Sequence, residues 1–217
     1  MKLRVIFLGN SDFSRFVIEN ISDYFDIVGA ITNPDAKTGR KGILVPNPVK
    51  SWAEENSIEI EYSVKNIKEM SVRLKPDFFL VASYGVILKR DTLNTGKFLN
   101  VHGSFLPELR GAIPIQMSIF KGLKTGGVSV IEMDEGMDTG RLLGRSKVEI
   151  GETDNFKTLS LKLAQVGSKI LKDKAEGYLS GNVPDKQEQT GATYCYMKDI
   201  KLIKQYIQLI GKIFLNY

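Results

Sequence analysis

Four short apolar runs limit what this chain can fold into. They are Arg4-Val5-Ile6-Phe7-Leu8-Gly9, Ile27 to Ile31, Asp77 to Ala82 and Lys97 to Val101. A short, almost continuously apolar run reads as a strand buried on both faces, and such strands belong to parallel sheets. Between the first two runs, Phe13, Phe16, Val17 and Ile21 fall at helical spacing behind Ser11 or Asp12, either of which can cap a helix. Strand, helix and strand in this order make a βαβ unit. The expectation is an α/β fold, a mostly parallel sheet with helices on both faces.

The other segments fill in around that sheet. Helices are expected from Pro48 through Glu55, from Lys65 to Leu74 and from Ile113 to Lys121, and a short alternating strand from Ile58 to Tyr62. Gly127 to Met133 and Leu142 to Ile150 read as two strands forming an antiparallel addition. Thr153 can cap a long helix whose apolar face is Phe156, Leu159, Leu163, Val166 and Ile170. From Asn182 to Thr193 the chain is polar and loop-like. Ile203, Ile207, Ile210 and Phe214 then mark a basic amphipathic helix, which as a stripe of this kind is expected to pack on its own domain. The domain organisation expected is one unit over 1–181, then a linker-like segment and C-terminal helix over 182–217.

Bulk properties exclude some classes. No apolar run approaches the ~20 residues of a membrane span, and the N-terminal run is too short for a signal peptide. Cys195 is the only cysteine, so no intrachain disulfide forms and a reducing cytoplasm fits. The net charge of +5 permits a polyanionic partner without demanding one.

The chemistry concentrates between Leu99 and Pro114, LNVHGSFLPELRGAIP. Asn100 and His102, the only histidine, are two apart in a strand and face the same side. Gly103, Ser104, Pro107, Gly111 and Pro114 follow, as in a loop that lets a ligand approach backbone. Downstream, MDEGMDTG from Met133 to Gly140 supplies Asp134, Glu135 and Asp138. Two donors, with a carboxylate to orient an imidazole, suit acyl transfer. Spacing leaves open which carboxylate serves. Ser104 lacks a G-x-S-x-G elbow, so direct transfer between two bound substrates is favoured over a covalent intermediate. A lone histidine at a strand end is more often structural, and the acidic cluster can be a solvated loop or a hard-cation site. It does not match an EF-hand, zinc would lack nitrogen and sulfur ligands, and no metal is expected. The first turn, GNSDF, is not G-x-G-x-x-G, and a plain βα turn is preferred to a dinucleotide site. The long loop from Asn33 to Val49, read from its residues alone, is a solvated surface loop.

Taken together, IFLGNSDF, TNPDAKTGRKGILVPNPVK, VASYGVIL, NVHGSFLP, RGAIPIQ, MDEGMDTG and QTGATYCYMK resemble, in order, the folate-dependent formyltransferase family. The resemblance implies a Rossmann-like formyltransferase fold, a catalytic domain over 1–181, and formyl-tetrahydrofolate as co-substrate. It implies Asn100, His102 and Asp138 as the catalytic trio, with Asn100 and His102 stabilising a tetrahedral oxyanion. Asp138, in the D-T-G position, is implied to position the imidazole and assist proton removal. It implies folate contacts from Ser104, Phe105, Leu106 and Pro107, where Phe105 replaces a leucine and adds bulk beside the folate. Tyr84, Gly85, Val86, Ile87 and Leu88 are implied to line the pterin pocket. The branch most similar formylates initiator methionyl-tRNA, with Lys37, Arg40 and Lys41 in a loop that enters the tRNA acceptor end. GRKGIL stands where G-R-G-K-K-L is usual, one positive charge fewer. An amino sugar nucleotide as acceptor, or a folate- or RNA-binding remnant with little turnover, are the alternatives. Members of that branch continue into a C-terminal β-barrel, which this chain is expected to lack. The expected protein is a cytoplasmic monomer.

Overall fold

The computed structural model describes residues 2–38 and 43–214. The chain begins in the middle of its main sheet. β1 (Arg4–Gly9) leads through α1 (Asp12–Ile21) to β2 (Asp26–Ile31), parallel beside it. Ser11 caps α1: its hydroxyl accepts from the Ser14 backbone N–H, and the Ser14 side chain returns the bond to the cap residue. A small antiparallel ribbon follows, β3 (Ala36–Thr38) with β4 (Ile43–Val45). Asn47 then caps α2 (Pro48–Glu55), with Pro48 in the first turn, where its missing N–H costs nothing. β5 (Ile60–Glu61) pairs with β2 at the sheet edge, and α3 (Ile67–Leu74) follows a single 3₁₀ turn.

The chain then crosses to the other side of β1. β6 (Phe78–Ala82) pairs parallel with β1. After the short α4 (Arg90–Leu93), β7 (Phe98–His102) pairs parallel with β6. β8 (Arg110–Gly111) and α5 (Pro114–Phe120) precede β9 (Thr125–Glu132) and β10 (Leu142–Glu149), which extend the sheet antiparallel beyond β7. The long α6 (Phe156–Leu179), β11 (Tyr194–Cys195) and α7 (Asp199–Phe214) complete the chain as far as it is described. The main sheet runs β10-β9-β7-β6-β1-β2-β5. It is an α/β, Rossmann-like sheet with the expected antiparallel addition.

Period-two alternation places the core on both faces. In β1, Val5 and Phe7 join Phe13, Val17, Leu159 and Leu163 on the face covered by α1 and α6. Ile6 and Leu8 join Ile67, Met70 and Phe79 on the α3 face. Each such fully buried side chain contributes about 1.5–3 kcal/mol, which is why the inner strands read as continuous apolar runs. The order of strands reverses between β1 and β6, and a crevice opens beyond their carboxyl ends.

Three details differ from the sequence reading. The strand expected over Ile58 to Tyr62 shrinks to Ile60–Glu61, because only Ala30 and Ile31 are within pairing reach at that edge. The cap of α6 is Asn155, not Thr153: the Asn155 side chain accepts from Lys157 N at 2.9 Å and Thr158 N at 3.1 Å. Asn155→Ala is therefore expected to destabilise the fold by about 1 kcal/mol. The exposed Thr153→Ala should stay within about 0.5 kcal/mol of the parent. Urea unfolding of the two variants checks this, and the reverse order would restore Thr153 as the cap.

The third difference is larger. The segment after Gly181 does not run as a linker. Leu142 and Asp185 exchange backbone hydrogen bonds at 2.8 and 3.1 Å, Gln187 is buried, and β11 pairs parallel with β8. Polar residues disguise this packing, because hydrogen bonds and not apolar burial tie the segment down. The first half of α7 packs as well, with Ile200 and Ile203 against Leu109, Ile113 and Cys195.

Candidate active site

β7 carries Asn100 and His102 to the carboxyl edge of the sheet. Both are buried, and both point to one side, as their spacing requires. The loop between β9 and β10 brings Asp138 against them. Asn100 Nδ2 donates to Asp138 Oδ1 at 3.2 Å, and His102 Nδ1 stands 3.5 Å from the same oxygen. The backbone N–H of Gly111 donates to Asp138 Oδ2 at 2.7 Å. His102 Nε2 lies 3.0 Å from the carbonyl oxygen of Leu109. Both ring nitrogens thus face groups that accept, the Leu109 carbonyl at Nε2 and the Asp138 carboxylate at Nδ1.

The other acidic candidates are occupied elsewhere. Asp134 accepts from Gly136 N at 3.0 Å and from the Thr139 hydroxyl at 2.7 Å. Glu135 pairs with Arg90, and Glu132 accepts from the Tyr178 hydroxyl at 2.7 Å. Of the carboxylates that spacing left open, Asp138 alone faces the imidazole. It does so in a left-handed backbone conformation, φ 53°, which strains a residue with a side chain by about 1–3 kcal/mol. The adjoining Gly140 has no room for more: a methyl carbon there would stand 1.7 Å from the Glu132 carbonyl oxygen. Among the described residues no group of three or more His, Cys, Asp or Glu side chains could hold a metal ion.

A cavity of about 460 Å³ opens in front of the trio. Tyr84, Gly85, Val86, Ile87 and Leu88 all line it, along with Met137 and Met197. Tyr84 and Leu88 are buried in its wall, while Ile87 is 77% exposed at the mouth. Burial also pushes the Tyr84 phenol above its ordinary range, so it stays neutral. The walls are largely apolar, with Asn100, His102 and Asp138 among the polar side chains that line it, which suits a small-molecule site.

Ser104, Phe105, Leu106 and Pro107 are not among the residues lining this cavity. Ser104 turns its hydroxyl to the Glu108 carbonyl, and Leu106 is fully buried against Ile131 and Leu142. The Phe105 ring lies beneath the Arg145 guanidinium, 4.4 Å away, and does not crowd the cavity. These four residues instead build the turn that returns Leu109 to His102. The side chain of Lys37, and Arg40 and Lys41 altogether, lie outside the described residues.

Sequence reasoning missed Asn10. Its amide donates to the Tyr84 carbonyl across the strand-order reversal, and its oxygen accepts from Asn33 N at 2.6 Å. One side chain thus joins the cavity wall to the start of the 33–49 loop. An asparagine directly after the first strand was the only signal. Gln187, buried behind Asp138, was missed too.

The family model described as formyl transferase matches residues 1–174. The chain belongs to the formyl transferase family. It is similar to methionyl-tRNA formyltransferase of Bacillus velezensis (strain DSM 23117 / BGSC 10A6 / LMG 26770 / FZB42), 41% identical over 199 residues. It is 39% identical to methionyl-tRNA formyltransferase of Bacillus subtilis (strain 168). Both matches take in 88% of this chain and 63% of the relative, so the chain spans less than two thirds of their length. Among solved members of the fold, WlaRD, a sugar 3N-formyl transferase, superimposes with a TM-score of 0.66 at 18% identity, covering 92% of this chain and 71% of that one. Phosphoribosylglycinamide formyltransferase from Streptococcus pneumoniae TIGR4 gives 0.65 at 19%, covering 82% and 99%. At such identities the likeness is one of fold.

Proposed function

We propose that this chain transfers a formyl group from formyl-tetrahydrofolate to an amine, and that the amine is that of initiator methionyl-tRNA. The observation that carries the reaction class is the convergence of Asn100, His102 and Asp138 on one cavity. The acceptor rests on the names of the 41% and 39% identical relatives and on the basic residues Lys37, Arg40 and Lys41. The cavity walled by Tyr84 to Leu88 is the proposed folate site.

Attack by the amine on the formyl carbon develops negative charge on the formyl oxygen and a proton to be removed from nitrogen. Asn100 spends one amide hydrogen on Asp138, which leaves the other for the oxyanion. His102 is held between the Leu109 carbonyl at Nε2 and the Asp138 carboxylate at Nδ1. This geometry lets His102 oppose the oxyanion while Asp138 positions the ring and assists removal of the amine proton; as the tetrahedral intermediate collapses, the bond from the formyl carbon to the folate nitrogen breaks and that nitrogen takes a proton, releasing tetrahydrofolate.

Among the described residues no helix is long and apolar enough to cross a membrane. We propose a cytoplasmic monomer whose catalytic unit includes the segment through Cys195. One assay tests acceptor and reaction together. The protein is incubated with formyl-tetrahydrofolate and either charged initiator tRNA or an amino sugar nucleotide. Formyl-methionine on the tRNA is the expected product. Formylation of the sugar alone would move the chain to the other branch, and folate binding without turnover would leave a binding remnant.

Arg40→Ala tests the polyanion assignment. Removing one phosphate contact lowers the number of counterions released, so tRNA binding should weaken more at low salt than at high salt. Folate affinity should stay unchanged. A salt profile identical to the parent's would return the 33–49 loop to the solvated-surface reading.

A further inference from the structure

Arg110 is completely buried, yet among the described residues it forms no ion pair. A buried guanidinium is tolerated only when its donors are satisfied. Here neutral oxygens satisfy them. Nε donates to Gln187 Oε1 at 2.9 Å, and Nη2 donates to the same oxygen. Nη1 donates to Gln189 Oε1 at 2.9 Å and to the Tyr194 hydroxyl at 3.2 Å. An apolar side chain would fill this space without the cost of burying charge. The charge has a consequence that an apolar side chain could not have.

That consequence is the orientation of Gln187. Guanidinium groups only donate, so the amide oxygen must face Arg110 and the amide nitrogen must face away. The nitrogen meets two backbone carbonyls, Asp138 O and Gly140 O, each at 3.0 Å. Asp138 is the residue held at φ 53°, with its carboxylate against Asn100 and His102. Gly111, next to Arg110 in β8, holds the Asp138 carboxylate from the opposite side through its N–H at 2.7 Å. Gly111 therefore holds the Asp138 side chain directly, and its neighbour Arg110 reaches the Asp138 backbone through Gln187.

We propose that Arg110 and Gln187 are positioning residues for Asp138. Arg110 polarises and orients the Gln187 amide, and that amide holds the Asp138–Gly140 backbone in the conformation that aims the carboxylate at the imidazole. The segment after Gly181 thereby becomes part of the reacting apparatus. The inference rests on reading Asn100, His102 and Asp138 as the reacting trio.

The decisive variant is Gln187→Glu in the full chain. It offers Arg110 an ion pair that offsets the two lost carbonyl contacts, so the protein should stay folded, with a cooperative urea transition. It also replaces the donor that faces two carbonyls with a carboxylate oxygen, so the hold on Asp138 is lost. Single-turnover formyl transfer to charged initiator tRNA should fall at least about tenfold, with the Michaelis constant for formyl-tetrahydrofolate within about twofold. A second readout does not depend on activity. His102 is the only histidine, so its imidazole C–H signals are unique in a carbon–proton correlation spectrum. In Gln187→Glu and Gln187→Leu these signals should move toward the position they take in Asp138→Asn. Gln187→Leu combined with Asp138→Asn should be no worse than Asp138→Asn alone, since both act through one carboxylate.

A stable Gln187→Glu protein with parental rate and parental His102 signals overturns the proposal, as does full additivity in the double variant. If Asp138→Asn loses the rate while both Gln187 variants keep it, the trio stands and only the positioning role falls. If Asp138→Asn leaves both rate and signals untouched, the trio reading falls and the proposal with it. If no acceptor is formylated by the parent, the His102 signals alone decide between support and rejection.

Discussion

Replacing His102 with alanine is expected to lower formyl transfer by at least about 100-fold, and Asp138→Asn by a comparable factor. The magnitude follows from what each group holds. His102 is held between the Leu109 carbonyl, 3.0 Å from Nε2, and Asp138, 3.5 Å from Nδ1. Alanine removes the group that would oppose the oxyanion and leaves Asp138 with no imidazole to position. Asparagine at 138 keeps the shape but not the negative charge that stabilises an imidazolium. Folate affinity should stay within about threefold in both variants, because the proposed walls, Tyr84 to Leu88, are untouched. Single-turnover transfer at saturating co-substrate, with folate binding measured separately, checks both statements. Near-parental turnover in either variant would show that the trio is structural.

Gly111→Ala is expected to be strongly destabilising. Gly111 has φ 114°, and a methyl carbon there would stand 2.2 Å from the carbonyl oxygen of Cys195. That oxygen is backbone, held in place because it accepts from Ala112 N at 2.9 Å, so it cannot yield cheaply. Strain and lost pairing between β8 and β11 should together cost on the order of 3 kcal/mol. Gly122 provides the control. It too has positive φ, 61°, but nothing lies within 4 Å of the added carbon. Gly122→Ala should therefore cost only about 1–2 kcal/mol, the conformational penalty alone. Urea midpoints of the two variants measure the difference. Gly111→Ala should also lose turnover, because the same displacement pulls the Gly111 N–H from Asp138 Oδ2. Equal midpoints for the two variants would mean that the β8–β11 contact gives way without cost.

Residues 182–195 change how the molecule is divided. Their polarity suggests a tether, yet Asp185, Gln187 and Thr193 each bond into the body of the domain. Truncation at Gly181 would remove Gln187 from behind Asp138 and strip the Arg110 guanidinium of its acceptors. Any catalytic fragment should therefore extend past Cys195, whose thiol burial pushes above its ordinary range and keeps unreactive.

Local pattern accounts for the parts that were legible in advance. The inner strands β1 and β6 are buried on both faces, so their residues are apolar almost without interruption, and β7 departs from that pattern only at Asn100 and His102. Asn100 and His102 share a side because strand geometry repeats every two residues, whatever surrounds it. The Asp138 assignment needed the resemblance, since spacing alone could not separate it from Asp134 and Glu135. Tertiary structure separated them through partners: Thr139 for Asp134, Arg90 for Glu135, Asn100 and Gly111 for Asp138. It also withdrew Ser104 to Pro107 from the cavity and brought Gln187 to Arg110 across 77 positions of chain. Such contacts leave no period and no composition bias behind. A buried glutamine among polar residues looks like any solvated one until the fold sets a guanidinium on one side of its amide and two carbonyls on the other.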